Sequence, residues 1–304
     1  MSAAGPPDLT DRTKVAQDKA RVLREALPWI TRWAGRTVVV KYGGNVATEG
    51  DGPDEATAAF AADIALMRSV GVRAVVVHGG GPQISALGAR LGLEPAFLDG
   101  QRVTDAATLE VVRLALLGQV NPWLVGLIDG AGAPATGVSG TDAGLITARP
   151  SDPALGQVGE VAAVDAGLLR GILDDGVVPV VATLGRGADG TVYNINADRV
   201  AGAIATALAA DKLIYLTNVS GLYEHFGTDE SALLSTVGVD RLRAMVEGGE
   251  LRTGMVPKIR SVVDALDGGV AQAHLLDGRI EHALMLEVFT DEGVGTMVLP
   301  EEAA

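Results

Sequence analysis

Lysine is scarce in this 304-residue chain, occurring only at positions 14, 19, 41, 212 and 258, so the placement of each ammonium carries information. Lys41 closes the run TVVVK and is followed by Tyr42-Gly43-Gly44-Asn45. Glycines at a strand end let backbone N–H groups approach an anion, and the lysine adds a full positive charge. His78-Gly79-Gly80-Gly81-Pro82-Gln83 repeats the arrangement after a second apolar run. Pro82 suits the first turn of a helix, whose N-terminal dipole again favours an anion. Two such turns at neighbouring strand ends would hold phosphate, since open α/β sheets bind ligands beyond the carboxyl ends of their strands.

Two further constellations could join them. In Asn194-Ile195-Asn196-Ala197-Asp198 the two asparagines share one face of an extended segment, and Asp198 is expected to cap the following helix. A pair of amides suits a ligand that carries both carboxylate and amide groups. Met255-Val256-Pro257-Lys258 puts a lysine in the first turn of a helix, where the dipole disfavours a cation unless an anion compensates.

Other chemistries are excluded or weakened. There is no cysteine, which removes disulfides, thiolate metal sites and cysteine nucleophiles. A net charge of −14 argues against nucleic-acid binding. His78 has no partner at metal-ligand spacing and reads as a hydrogen-bonded strand-end residue. Residues 185–190 (GRGADG) match a dinucleotide fingerprint in letters, but a strand-like TVYNI follows where a helix is required, so the segment reads as a turn. No Gly-Lys dipeptide exists, so a Walker A loop is absent. No apolar run approaches the ~20 residues of a membrane span, and the first residues lack a signal-peptide pattern. The expectation is a cytoplasmic protein that binds no membrane.

The elements that would position these residues follow an α/β order. Strands are expected at 37–41, 74–78, 177–183, 212–217, 274–276 and 296–299, and helices at 55–70, 83–91, 106–129, 166–175, 197–209, 239–248 and 256–268. Strand, helix, strand alternation implies a mainly parallel sheet with helices on its faces. Residues 135–164 suit antiparallel hairpins. A helix over 11–32 is expected to kink at Pro28, and that over 106–129 at Pro122. No linker separates lobes, so one continuous sheet is expected.

Together the segments KYGGN (41–45), VHGGGPQI (77–84), RVT (102–104), NINAD (194–198), LTNVSGLY (216–223) and GMVPKI (254–259) resemble the amino-acid kinase superfamily, and within it the N-acetylglutamate kinases. The resemblance spans residues 35–299. It implies a three-layer αβα sandwich of two lobes, with an arm at 1–33, an acyl-amino-acid lobe at 34–209 and an ATP lobe at 210–304. It also implies phosphoryl transfer from ATP, with Mg2+, to the γ-carboxylate of N-acetyl-L-glutamate in arginine biosynthesis. The alternatives are another acid kinase of the same fold, acting on glutamate, aspartate or carbamate, or a catalytically silent arginine sensor.

By motif, Lys41 and Lys258 correspond to transition-state stabilisers and Asp198 to the group that organises them. Gly43, Gly44, Gly79 and Gly80 correspond to phosphate N–H donors. Gly80, Gly81, Arg102, Asn194 and Asn196 match the acyl-amino-acid site. Asn218, Val219, Ser220, Gly221, Leu222 and Tyr223, with the loop at 250–252, match the nucleotide site. Mg2+ is implied on the ATP phosphates, with no protein ligand. Three positions depart from the family pattern: Asn218 replaces a usual Asp, Thr141 a common Lys or Glu, and Pro122 a common basic residue. The kinked N-terminal helix and the segment 274–296 resemble the arginine-sensitive members. That likeness implies L-arginine as a feedback inhibitor touching His274, Glu287 and Gly293, and a homo-oligomer, a dimer or a hexamer built through the arm.

Overall fold

The computed structural model describes residues 9–43, 53–224, 232–251, 254–290 and 293–300. Gly44, Asn45 and Arg252 therefore lie outside the described residues. In chain order, α1 (Leu9–Trp33) leads into β1 (Thr37–Tyr42), α2 (Glu55–Ser69), β2 (Arg73–His78) and α3 (Gly81–Arg90). A short hairpin, β3 (Phe97–Leu98) and β4 (Gln101–Arg102), precedes α4 (Ala106–Ala115), a π-helical turn (Leu116–Val120) and α5 (Asn121–Gly130). Next come β5 (Ala135–Ser139), β6 (Ile146–Pro150), β7 (Val158–Val164), α6 (Gly167–Asp174), β8 (Val178–Ala182), β9 (Leu184–Gly187) and β10 (Val192–Ile195). The last part holds α7 (Ala197–Ala207), β11 (Lys212–Thr217), β12 (Tyr223–Glu224), β13 (Ala232–Leu233) and β14 (Thr236–Gly238). It ends with α8 (Val239–Glu247), α9 (Val256–Asp267), β15 (Ala273–Asp277), α10 (Ala283–Phe289) and β16 (Thr296–Leu299).

Eight strands form one sheet in the order β14-β16-β15-β11-β1-β2-β8-β5, so the expected single sheet is present. Every neighbouring pair is parallel except β15 and β16. Val38, Val39, Val40, Val75, Val76 and Val77 are buried on both faces, as helix-covered parallel strands require. Val39, Val75 and Val77 pack with Val200, Ile204, Ile259 and Val262 of α7 and α9. Val38, Val40 and Val76 pack with Ile64, Met67, Leu124 and Ile128 of α2 and α5. This is the three-layer αβα sandwich.

The middle of the chain differs from the sequence reading. Residues 135–164 do not all form antiparallel hairpins: β5 pairs in parallel with β8 at the edge of the main sheet. Only β6 and β7 make the expected antiparallel pair, and β9 and β10 close them into a small barrel. In the segment 185–190, Gly185 to Gly187 belong to β9 and only the remainder turns. Gly185 is needed there because a Cβ would stand 2.6 Å from Ile195.

Helix α1 continues through Pro28. Its last turn, Trp29, Ile30 and Trp33, packs on the core, while Val15, Val22, Leu23 and Leu27 are exposed. The stretch 106–130 does break its α-helical pattern before Pro122, through the π turn. Proline lacks an N–H and its ring collides with the carbonyl four residues back, and a widened turn relieves that collision. This stretch, Ala106–Gly130, is long and apolar enough to cross a membrane by length and composition. That departs from the sequence reading, although Val112, Leu116, Leu124 and Ile128 pack into the core of this fold.

Gly202 sets the distance between α7 and α9, since a Cβ there would lie 2.7 Å from Ser261 Oγ and 3.1 Å from its carbonyl oxygen. Gly202→Ala is expected to destabilise the protein by about 1–3 kcal/mol through this overpacking, read as a lower urea midpoint. A midpoint at or above that of the parent would contradict the close helix contact.

Candidate active site

The parallel register brings the motif residues to one end of the sheet. Lys41 pairs with Val77 on one side and Tyr215 on the other, so the turns after β1, β2 and β11 adjoin. Asp198, in the first turn of α7, meets both lysines: Lys41 Nζ lies 3.1 Å from its Oδ1, and Lys258 Nζ lies 3.0 Å from each oxygen. All three side chains are nearly buried. Burial alone would raise the Asp198 pKa, but the two ammoniums outweigh it and hold the carboxyl below its usual range. Burial pulls Lys258 down to about 8, against the attraction of Asp198 and with the repulsion of Lys41. Asp198 is not the helix cap expected from the sequence. Asn196 caps α7, its Oδ1 accepting from Asp198 N and Arg199 N, which frees the aspartate for the lysines.

Gly43 stands against the Lys41 ammonium, and Gly79 adjoins the start of α7. A Cβ on Gly43 would meet Lys41 Nζ at 2.0 Å and Leu216 O at 3.1 Å, so the ammonium held by Asp198 folds directly over a glycine. A Cβ on Gly79 would touch Ala197, and one on Gly80 would strike Leu116 at 2.7 Å. Arg102 lies beyond them, donating to Gly81 O at 3.1 Å and Ser85 Oγ at 2.7 Å, with its guanidinium 4.8 Å from the Phe97 ring. Partial burial lowers its pKa. Asn194 Nδ2 donates to Thr104 Oγ1 at 3.3 Å, tying β10 to the segment that carries Arg102. Asn194 is thus near the acyl-amino-acid group of residues, whereas the Asn196 oxygen is already used as a cap.

Segment 218–223 leaves the end of β11. Val219 N donates to Thr217 Oγ1 at 3.0 Å, and Leu222 N donates to Thr296 Oγ1 at 2.8 Å. Gly221 sits at φ 147°, with Thr296 Oγ1 only 2.5 Å from a would-be Cβ. Asn218 is exposed, Ser220 half-buried, and Tyr223 opens β12. The departure at Thr141 places a hydroxyl 2.8 Å from Ser139 Oγ. A second cluster forms on β15 and α10. His274 Nδ1 donates to Glu287 Oε1 at 2.5 Å, Val294 N donates to Glu287 Oε2 at 3.0 Å, and a Cβ on Gly293 would stand 3.1 Å from the same carboxylate. Burial lowers His274 to about 4, which leaves it neutral. Glu287 is buried, not a solvated surface carboxylate. Burial opposes its charge, yet His274 and Lys212 keep its pKa low.

Residues 36–277 match the amino acid kinase family. The chain belongs to that family. Among curated relatives, the acetylglutamate kinase of Corynebacterium diphtheriae is 50% identical, over 94% of this chain and 92% of its own. The acetylglutamate kinase of Frankia alni is 48% identical, over 97% of this chain and 86% of its own. Among solved structures, the N-acetylglutamate synthase of Neisseria gonorrhoeae with coenzyme A and N-acetyl-glutamate superposes with a TM-score of 0.78 and 29% identity. That match covers 92% of this chain and 63% of the synthase. The synthase complex with coenzyme A and L-arginine gives a TM-score of 0.73 at 27% identity, covering 91% of this chain and 64% of that one.

In this amino acid kinase, residues that no motif flagged pack against the charged triad. Ser261 Oγ donates to Asp198 O at 2.6 Å and lies 2.8 Å from Tyr215 Oη, and the Tyr215 ring faces Lys258 Nζ at 5.1 Å. They floor the charged triad. A lone serine inside a helix carries no sequence signal, although Tyr215 opposite Lys41 could have been placed from strand register. The Lys258 titration gives a testable pH dependence. In the charge-stabilising role that the family resemblance implies, Lys258 acts protonated, so kcat/KM is expected to fall as pH rises through about 8. Lys258→Arg should remove that limb, because guanidinium does not titrate there. A profile identical in parent and variant would contradict the assignment.

Proposed function

We propose that the chain transfers the terminal phosphoryl group of ATP to the γ-carboxylate of N-acetyl-L-glutamate, giving N-acetyl-L-glutamyl 5-phosphate and ADP, a step of arginine biosynthesis. The observation that carries this reading is the Lys41–Asp198–Lys258 group beside two glycine turns, in a chain about half identical to acetylglutamate kinases. A carboxylate is already ionised at neutral pH, so it attacks phosphorus without a general base. The site must instead align two anions and spread charge off the moving phosphoryl group. Lys41 and Lys258 neutralise that charge from two elements, and the N–H groups of Gly43, Gly79 and Gly80 are the donors this reading assigns to its oxygens. Arg102 takes the α-carboxylate through its planar fork.

Mg2+ belongs to the incoming nucleotide in this reading. Both Asp198 oxygens are committed to ammoniums, and among the described residues no cluster of His, Asp or Glu suits a metal ion. The ion shields the charge of the ATP phosphates. We also infer L-arginine as an inhibitor at His274, Glu287 and Gly293, where a buried carboxylate suits its guanidinium or amino group. The exposed apolar face of α1 supports a homo-oligomer built through the arm, and the compartment is taken to be the cytoplasm.

One ADP-release assay tests these points together. Turnover is expected with N-acetyl-L-glutamate and not with glutamate, aspartate or carbamate. Arginine should inhibit the full chain more strongly than a chain lacking residues 1–32. Activity on free glutamate without activity on its acetylated form would overturn the substrate assignment, and equal inhibition curves would remove the arm from the mechanism.

A further inference from the structure

A buried polar pair beneath the second glycine turn has no part in the phosphoryl transfer assigned to the lysines and glycines. His78 ends β2 with no exposed surface, and Asn121 opens α5 almost as deeply buried. Asn121 Nδ2 lies 2.9 Å from His78 Nε2 and also donates to Val180 O at 2.8 Å. An amide nitrogen donates, so Nε2 accepts, and the single proton of the neutral ring belongs on Nδ1. Nδ1 faces Gly79 O at 2.9 Å. Burial holds the His78 pKa down at about 4, opposed only by the bond to Gly79, so the ring stays neutral at neutral pH.

Two features around the pair are built to place it. A Cβ on Gly137 would stand 2.0 Å from Asn121 Oδ1, so glycine on β5 makes room for the amide. The π turn before Asn121 inserts one residue, with Asn121 N bonding back to Leu116 O. One extra residue rotates the remainder of the helix by about 100°, which carries Asn121 inward. It also sets Leu116 and Val120 against Gly80, where a Cβ would meet them at 2.7 and 3.2 Å. Inserted turns of this kind concentrate at functional sites.

We propose that His78 and Asn121, with the π turn at 116–120, form a positioning unit that aims the Gly79–Gly80 peptide at the reacting phosphoryl group. A peptide between two glycines lacks the Cβ atoms that would restrict its rotation. Its plane therefore needs an anchor. The bond is trans and planar, so its C=O and N–H point in opposite directions. Drawing Gly79 O to His78 turns the Gly80 N–H away from His78, and the Gly79 α-carbon adjoins Ala197, the residue before Asp198. This inference rests on the kinase reading.

The test uses the full-length protein and two variants. Nitrogen-15 spectra of histidine-labelled protein report the tautomer without substrate, and the chain has only four histidines to assign. His78 is expected in the Nδ1–H form. Asn121→Leu removes the donor and should lower kcat by about 10- to 100-fold, somewhat less than outright loss of an oxyanion donor, with the KM for MgATP within about twofold. Asn121→Asp is nearly isosteric, but its charged carboxylate pulls the ring proton onto Nε2 and strips Nδ1 of its hydrogen. Protonation of that pair restores the anchor. Its kcat relative to the parent should therefore be highest at low pH and fall as pH rises. An Nε2–H tautomer in the parent would overturn the proposal. So would kcat within about twofold of the parent in both variants, or a loss in Asn121→Asp that is equal at every pH. A parent that does not phosphorylate N-acetylglutamate overturns the kinase reading instead, and leaves the tautomer result standing.

Discussion

One carboxylate holding two ammoniums is the constraint on which the rest of the structure depends. Asp198 keeps Lys41 and Lys258 within 3.1 Å of its oxygens, inside a nearly closed space. Two buried ammoniums repel each other, and leaving either unpaired would cost on the order of 3–5 kcal/mol. The triad thus carries one net positive charge, aimed at the end of the sheet where an anion would arrive. A chain of net charge −14 can bind anionic substrates because that charge is local.

The fold meets this constraint by making three distant segments converge. Lys41 lies near the end of the central strand β1, Asp198 opens α7, and Lys258 lies in the first turn of α9. Gly202 lets α7 and α9 approach, and Ser261 with Tyr215 fixes the Asp198 backbone from below. Asn196 takes over the capping role, so the aspartate is not drawn into satisfying its own helix. Each of these contacts trades a local convenience for the position of one carboxylate.

Much of this is legible in the residue order, and the remainder is hidden for a physical reason. Valine-rich runs ending in glycine mark β1 and β2, because helix-covered strands need unbroken apolar stretches and their ends need backbone freedom. Lys41, Lys258 and Asp198 are legible as motif residues. Their convergence is implied only by the family resemblance and not by spacing, since residues 41, 198 and 258 meet through tertiary packing. The same holds for Asn121, which looks like an ordinary helical residue until the π turn rotates it towards His78. The edge position of β5 depends on pairing with β8, a contact that local composition does not encode. Two side chains in NINAD could cap the helix, and only packing decides for Asn196 over Asp198.

The central claim is that the charge of Asp198, not merely its shape, positions both lysines. Asp198→Asn keeps the volume and removes the charge, so turnover with N-acetyl-L-glutamate and MgATP measures that claim most directly. The account predicts that kcat falls by at least about 100-fold, the scale of lost transition-state electrostatics, while the protein still folds. A kcat within about twofold of the parent in a folded variant would contradict it.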